Sequence, residues 1–169
     1  VTFFTLGSMN WMPNYEGVLW LLKSVWPVVH KKNPQLKLYV AGRHMPETIS
    51  EFEGDSVKVV GEVPDSVTFI NEHSVMLVPL FAGSGIRIKI IEGMSAGRAV
   101  ISTTIGAEGI QCHHGENILI ADQAEEFSDC ILSLAEHPER ISEIGSKARK
   151  LIEKEYNNKL NINKLIGLY

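Results

Sequence analysis

The chain of 169 residues is 44% apolar, which is enough for one domain with an ample core. Its formal net charge of −4 excludes the broad basic surface on which nucleic-acid binding depends, so an acidic ligand has to be held by local groups. No apolar run approaches the roughly 18 residues of a membrane-spanning helix.

The first half of the chain is predicted to alternate strands with helices. Its strands are predicted at Val1–Leu6, Leu36–Ala41 and Val57–Val60, and its helices at about 14–32, 45–53 and 64–72. Asn14 is expected to cap the first helix, and Pro27 is expected to kink or restart it.

The second half continues the alternation and then becomes polar and Asn-rich at Tyr156–Asn163. Strands are predicted at Val75–Val78, Ala99–Ser102 and Asn117–Ile120, and helices from Ile86 onward, at about 124–135 and at about 139–155. Strands that alternate with helices across short turns predict an α/β fold, a Rossmann-like doubly wound parallel sheet of about six strands. In such a sheet, ligands bind at the carboxyl ends of the strands.

A glycine-rich loop, Gly83-Ser84-Gly85, separates the apolar strand Val75–Val78 from the helix expected at Ile86. Glycine permits unusual backbone angles, and a helix start presents unbonded N–H groups with a positive dipole end. This combination suits a phosphate group. The alternative is a tight turn that binds nothing.

Three charged residues follow the loop. Lys89 and Glu92 are three positions apart and therefore share a helix face, which suits either a surface ion pair or contact with a ligand. Glu92 lies among apolar residues, where a buried carboxylate needs a partner. Arg87 cannot share a regular helix face with Lys89, but it is close enough to the loop to reach it. For both cations the alternative is a solvated charge.

The stretch Gly83–Ile101 resembles the donor-nucleotide motif of the group 1 (family 4) glycosyltransferases, which have a two-lobed GT-B fold and use a nucleotide-activated sugar. Further similar segments are Gly7–Trp11 with Pro13-Asn14, Trp26-Pro27, Val40–Gly42 and Gly106–Ile110. The resemblance covers nearly the whole chain. It identifies residues 1–169 as a single donor-binding domain, the C-terminal half of such an enzyme, without its N-terminal acceptor lobe.

The resemblance implies which residues bind the donor and which act on the leaving group. The implied donor-binding residues are Val63, Gly83, Ser84, Gly85, Ile86, Glu92 and Glu108. The loop amides would cradle the diphosphate, Arg87 and Lys89 would neutralise it as the sugar bond breaks, and Glu92 would accept hydrogen bonds from the ribose. Val63 would contact the base, or lie in a plain turn, and Glu108 would touch a sugar, or be a cap or surface charge.

The chain departs from the commonest family pattern in two ways. Many members carry a second Glu eight residues before the one that matches Glu92, and here Ser84 occupies that position. Many members also carry Arg and Lys-Gly around the first loop, where this chain has Ser8 and Glu16-Gly17. We therefore hypothesise that the positive charge has moved to Arg87 and Lys89 on the central helix.

Aromatic and histidine residues are expected to be structural. Trp11, Trp20 and Trp26 are assigned to the core in preference to a sugar platform. The adjacent His113 and His114 do not share a face and make a poor metal pair. The family resemblance likewise implies that no metal or other cofactor is needed.

The implied whole enzyme transfers a sugar from a nucleoside diphosphate to an acceptor hydroxyl, with retention, in glycan or polysaccharide biosynthesis. Its partners would be the nucleotide-sugar donor and a glycan or lipid-linked acceptor held by the other lobe. Because the chain has only two cysteines, Cys112 and Cys130, a reducing cytoplasmic setting is favoured, with peripheral association at the inner membrane face allowed. Val1 lies inside a predicted strand, so an excised piece is expected. The rival function is a non-catalytic nucleotide-binding Rossmann module.

Overall fold

Six parallel strands form a single sheet in the computed structural model, which describes residues 1–156. The strands are β1 (Thr2–Leu6), β2 (Lys37–Ala41), β3 (Val57–Gly61), β4 (Val75–Val78), β5 (Ala99–Ser102) and β6 (Leu119–Ile120). Their order across the sheet is β3-β2-β1-β4-β5-β6, and every pairing is parallel. The predicted doubly wound α/β fold is confirmed.

Helices connect the strands and cover both faces of the sheet. They are α1 (Met12–Trp20), α2 (Trp26–Lys32), α3 (Glu47–Ser50), α4 (Ser66–Glu72), α5 (Ile88–Ser95), α6 (Ala124–Glu136) and α7 (Pro138–Tyr156). Successive strand residues point to opposite faces, so Phe3 joins the core beneath α1, α2 and α6, and Phe4 joins the core beneath α4, α5 and α7. Both side chains are fully buried, as expected for a parallel sheet with helices on each side.

A π-helical turn at Leu21–Val25 joins α1 to α2. The amide of Trp26 donates to the carbonyl of Leu21, five residues earlier. Pro27 follows at once and has no N–H to donate, so the wider turn comes where the regular ladder is interrupted. The predicted kink or restart at Pro27 is confirmed.

The start of α1 differs from the prediction. The helix begins at Met12, with Trp11 as its N-cap residue and Pro13 in its first turn, where a missing N–H is tolerated. Asn14 is therefore inside the helix and does not cap it. Its side chain is buried and points toward the end of β1.

Three other boundaries also differ. The helix predicted at about 45–53 consists of only the four residues Glu47–Ser50, with Pro46 as its N-cap residue. The helix after the glycine loop begins at Ile88, and Ile86 is 43% exposed in the loop. The last strand shrinks to two residues because Asn117 closes a turn, accepting a hydrogen bond from the amide of His113. The Asn-rich prediction falls mostly on residues 157–163, outside the described residues.

The assignment of all three tryptophans to the core was wrong for one of them. Trp26 is buried against Phe3, and Trp20 is partly buried between Phe81 and Phe127. Trp11 is 39% exposed at the end of the first loop. No helix within residues 1–156 combines the length and the apolar character needed to cross a bilayer.

Candidate functional site

A pocket lies at the carboxyl end of the sheet, where the neighbouring strands β1 and β4 separate. The chain leaves β1 toward β2 on one side and leaves β4 toward β5 on the other side, so this is the switch point at which doubly wound sheets bind ligands. The pocket is lined by Thr5, Leu6, Gly7, Met9, Asn14, Val18, Pro79, Leu80 and Lys89. Lys89 is the one ionisable side chain in this lining.

Lys89 projects from the first turn of α5 to the far side of the pocket. Its Nζ donates to Asn14 Oδ1 over 2.5 Å and to the carbonyl oxygen of Leu6 over 3.4 Å. Both acceptors are neutral. Removal from water, followed by the nearby charge of Arg87, lowers the pKa of Lys89 from 10.5 to about 7.

Two glycines allow this close approach. A Cβ on Gly7 would lie 2.7 Å from Asn14 Nδ2 and 3.1 Å from Lys89 Nζ. A Cβ on Gly17 would lie 1.8 Å from the carbonyl oxygen of Pro79, so α1 packs directly on the backbone that follows β4. The close packing around the pocket therefore requires residues without side chains at positions 7 and 17.

The loop between β4 and α5 has the backbone expected of a glycine loop. Gly83 and Gly85 have φ angles of 109° and 83°, which other residues rarely adopt. Within residues 1–156 the amides of Gly85, Ile86 and Arg87 donate to no protein acceptor. These amides precede the start of α5, a position suited to binding an anion, and no acceptor in the described part of the chain occupies them.

Arg87 is the N-cap residue of α5, and its side chain folds back under the loop. Its Nη1 donates to the carbonyl oxygens of Ser84 and Gly85 over 2.7 and 2.6 Å. The guanidinium lies 5.7 Å from the ring centre of Trp11. The side chain is only 6% exposed, yet Nε and Nη2 have no partner among the described residues. Arg87 thus reaches the loop as predicted, and the alternative of a solvated charge is wrong.

Glu92 lies one turn after Lys89 on α5 and is half-buried. Burial raises the pKa of its carboxyl group. In residues 1–156 it forms no ion pair, and Lys89 turns instead toward Asn14. The alternative of a surface Lys89–Glu92 pair is therefore wrong.

The remaining predicted residues surround this centre more loosely. Ser84 and Glu108 are exposed, and Val63 is half-buried beside the core under α4. The loop after β5 touches the glycine loop, because a Cβ on Gly109 would lie 3.1 Å from Ile86 Cγ1. Among residues 1–156, the hydrogen-bond partners of the Lys89 side chain are Leu6 and Asn14, and neither Val63 nor Glu108 contacts it in this way.

Sequence reasoning missed two residues of the site, Asn14 and Trp11. Asn14 was read as a cap, although Pro13 before it is the residue type that begins a helix. That signal would have placed Asn14 within the first turn and facing inward. Trp11 had no comparable signal, since its contact with Arg87 depends on a loop 72 positions later in the chain.

The described residues contain no group of three or more His, Cys, Asp or Glu side chains placed to hold a metal ion. The site consists of one half-buried ammonium, a buried guanidinium, a half-buried carboxylate and a set of free amides. Such a set can bind an anion through the cations and amides, and hydroxyl groups through Glu92.

The profile of the family described as "Glycosyl transferases group 1" matches residues 1–137. The chain belongs to this family. Among curated relatives, it is 27% identical over 163 residues to an uncharacterized 44.6 kDa protein in the cps region of Klebsiella pneumoniae. It is 26% identical over 98 residues to the trehalose synthase of Pyrococcus horikoshii. These alignments cover 91% and 58% of this chain, but only 42% and 24% of the relatives.

Solved structures confirm the GT-B type of fold for this group 1 glycosyltransferase domain. The C-terminal domain of LpcC from Francisella tularensis superposes with a TM-score of 0.73 at 17% identity, covering 92% of this chain and 86% of that one. TarM superposes with a TM-score of 0.79 at 19% identity, covering 99% and 34%. Anabaena HepE, solved with UDP and glucose, gives 0.73 at 16% identity, covering 98% and 47%.

Proposed function

We propose that this chain is the donor-binding domain of a glycosyltransferase and binds a nucleoside diphosphate sugar at the carboxyl edge of the sheet, over the cleft between β1 and β4. The observation that carries the proposal is Lys89, a cation held at the switch point by two neutral acceptors and no carboxylate. A cation placed in this way attracts an anion, and the adjoining amides before α5 are suited to phosphate oxygens. Membership of the group 1 glycosyltransferases supports a sugar donor as the source of this anion.

Each residue has a role in this proposal. Lys89 and the amides of Gly85, Ile86 and Arg87 hold the diphosphate, while Glu92 accepts hydrogen bonds from the ribose. The β-phosphate gains negative charge as the bond to the sugar breaks, so a cation nearby stabilises the transition state more than the ground state. Arg87 contributes once its guanidinium leaves the carbonyls of Ser84 and Gly85.

Rim residues complete the donor site. Val63 contacts the base, Glu108 contacts the sugar, and Ser84 stands where many relatives carry a carboxylate. HepE and the pneumococcal O-GlcNAc transferase GtfA were both solved with UDP, which makes UDP the first nucleotide to test. No metal is part of the proposal.

The whole enzyme would transfer the sugar to an acceptor hydroxyl with retention, in glycan or polysaccharide synthesis on the cytoplasmic side. The acceptor would be bound by an N-terminal lobe outside residues 1–169. The donor domain by itself would bind nucleotide without catalysing transfer. The chain spans 42% and 24% of the length of the two curated relatives, which supports this division.

Calorimetric titration of the chain with UDP, GDP and ADP tests the proposal. One nucleotide should bind, and Glu92→Ala should weaken it about 10- to 100-fold, since a hydrogen bond to a charged group contributes about 1.5–3 kcal/mol. Glu136→Ala is the matched control, because Glu136 is exposed at the end of α6 on another part of the molecule. Equal binding by wild type and Glu92→Ala, or no binding by the chain or by the full enzyme, would refute the donor-site assignment.

A further inference from the structure

Asn14 is a buried polar residue, and the donor-site proposal has not assigned it a role. It is 9% exposed, and its two amide atoms have different partners. Nδ2 donates to the carbonyl oxygen of Ser8 over 3.0 Å, and Oδ1 accepts from Lys89 Nζ over 2.5 Å. One side chain therefore ties the first loop to the cation that comes from α5, 75 positions later.

The Lys89 ammonium has no counter-ion within residues 1–156. The pocket lining contributed by β1, by α1 and by the segment after β4 carries no ionisable side chain. On α5 itself, Arg87 acts on Lys89 as a like charge, and Glu92 lies a turn further along without pairing to it. A neutral amide thus occupies the place where a carboxylate would satisfy the ammonium.

We propose that Asn14 is a positioning residue, an inference that rests on the donor-site proposal. Its amide oxygen holds the Lys89 ammonium in the pocket without neutralising its charge. The first counter-ion of Lys89 is then the diphosphate of the ligand. An aspartate at this position would pair with Lys89 and repel the phosphate. An apolar residue would leave Lys89 without its nearest acceptor. Asparagine is the residue that orients the cation and keeps it available.

One consequence is that binding takes up a proton. The pKa of Lys89 is lowered to about 7 by removal from water and by Arg87, so at pH 8 about nine-tenths of the free protein has a neutral amine. A bound diphosphate favours the ammonium form, so the amine must gain a proton as the complex forms. Above pH 8 the affinity should then fall about tenfold per pH unit.

The experiment is titration with UDP, or with GDP or ADP if one of these binds instead, at pH 8 in buffers of different ionisation enthalpy. The slope of the observed heat against buffer enthalpy gives the number of protons taken up. Wild type should take up about 0.9 proton more than Lys89→Arg, whose guanidinium stays charged throughout this range. At pH 8 the β-phosphate is already ionised, so the difference isolates Lys89.

Two Asn14 variants separate positioning from a structural role, because both lose the hydrogen bond to Ser8 and they differ only toward Lys89. Asn14→Asp should abolish the proton uptake, because its carboxylate keeps Lys89 charged before the ligand arrives. Asn14→Leu should keep the uptake and weaken binding about tenfold, since the ammonium loses an acceptor. A purely structural role would give the same result in both variants and would overturn the inference.

A measurement without ligand tests the role of Asn14 independently of nucleotide binding. In protein labelled with ¹³C-lysine, the Lys89 Cε resonance should titrate near pH 7 in wild type and at markedly higher pH in Asn14→Asp. Unchanged titration in that variant, or equal proton uptake by wild type and Lys89→Arg, overturns the role of Asn14 while the donor site stands. Absence of nucleotide binding in every form overturns the donor site, and this inference with it.

Discussion

Lys89 shows how one side chain can belong to a distant part of the fold. It starts on α5, but its Nζ contacts the end of β1 and the first turn of α1. We hypothesise that the phosphate-binding cation has moved from the first loop to α5. Such a move requires that a side chain from α5 reach the first loop, as Lys89 does. The hypothesis remains a prediction about binding, and the position of the ammonium beside Gly7 supports it.

The lowered pKa of Lys89 predicts how stability depends on pH. Between about pH 7 and 10.5 the folded protein has released the Lys89 proton while the unfolded chain still holds it, so raising the pH favours folding. Relative to Lys89→Met, the free energy of unfolding of wild type should therefore increase with pH by up to about 1.4 kcal/mol per unit. Urea denaturation at several pH values from 7 to 10 measures this, and parallel curves for the two proteins would contradict it.

Arg87 was predicted to meet either solvent or a diphosphate, and the fold gives it a third environment. Two loop carbonyls and the ring of Trp11 hold it under the glycine loop. Because Nε and Nη2 are buried without partners in the described chain, this arrangement is strained in its hydrogen bonding. The donor-site proposal therefore includes a movement of Arg87 that frees those two groups.

Among the elements, α1 packs its own backbone directly on the segment that follows β4. Gly17 lies against the carbonyl oxygen of Pro79, so the helix touches the segment that leaves β4. The Pro27 interruption and the π-helical turn then redirect the chain into α2. The contact at Gly17 holds α1, which carries Asn14, against the segment after β4.

The contact at Gly17 predicts an unusual effect for a glycine in a helix. Alanine normally favours helix, but here its Cβ would lie 1.8 Å from backbone that cannot move aside. Gly17→Ala should therefore destabilise the protein by about 1–3 kcal/mol. Chemical denaturation measures this loss.

Gly93→Ala on α5 is the matched control for Gly17→Ala. Its Cβ would approach the Sδ of Met76 at 2.7 Å, and a methionine side chain can adjust. The loss of stability should accordingly be smaller than at Gly17. Equal losses, or a gain at Gly17, would show that the backbone contact does not govern α1.

For the molecule as a whole, the sheet order decides where chemistry can occur. Strands β1 and β4 are neighbours although about 70 residues separate them, and the pocket opens where their connections diverge. The loops after β1 and β4 meet there, with the start of α5 completing the site. The groups proposed to bind the anion are protein cations and amides.

This composition predicts nucleotide binding without a metal. Lys89 and the amides before α5 supply the positive field that Mg²⁺ supplies in many phosphate sites. The affinity for the nucleotide that binds should change less than twofold between buffer with EDTA and buffer with Mg²⁺. A tenfold loss in EDTA, measured by the same calorimetry, would show that the site needs a metal.

Local pattern was sufficient for the elements and for the family. Apolar strands, the Gly83–Gly85 loop and the Pro27 interruption depend on nearby residues, so β1 to β5 and most helices were predicted within a few positions. The stretch Gly83–Ile101 identified the family for the same reason, and the profile match bears this out. Where a boundary was wrong, the helix start had been assigned from one residue type at Asn14 and from apolar spacing alone at Ile86.

Only the tertiary structure decided which charged groups meet. Lys89 pairs with Asn14 and not with Glu92, and Arg87 lies under its loop beside Trp11. Helical spacing gives two charges the same face, but the direction of a long side chain depends on which acceptor the packed fold offers. That acceptor comes from 75 positions away, and it reaches Lys89 because Gly7 and Gly17 let α1 and β1 close around the pocket.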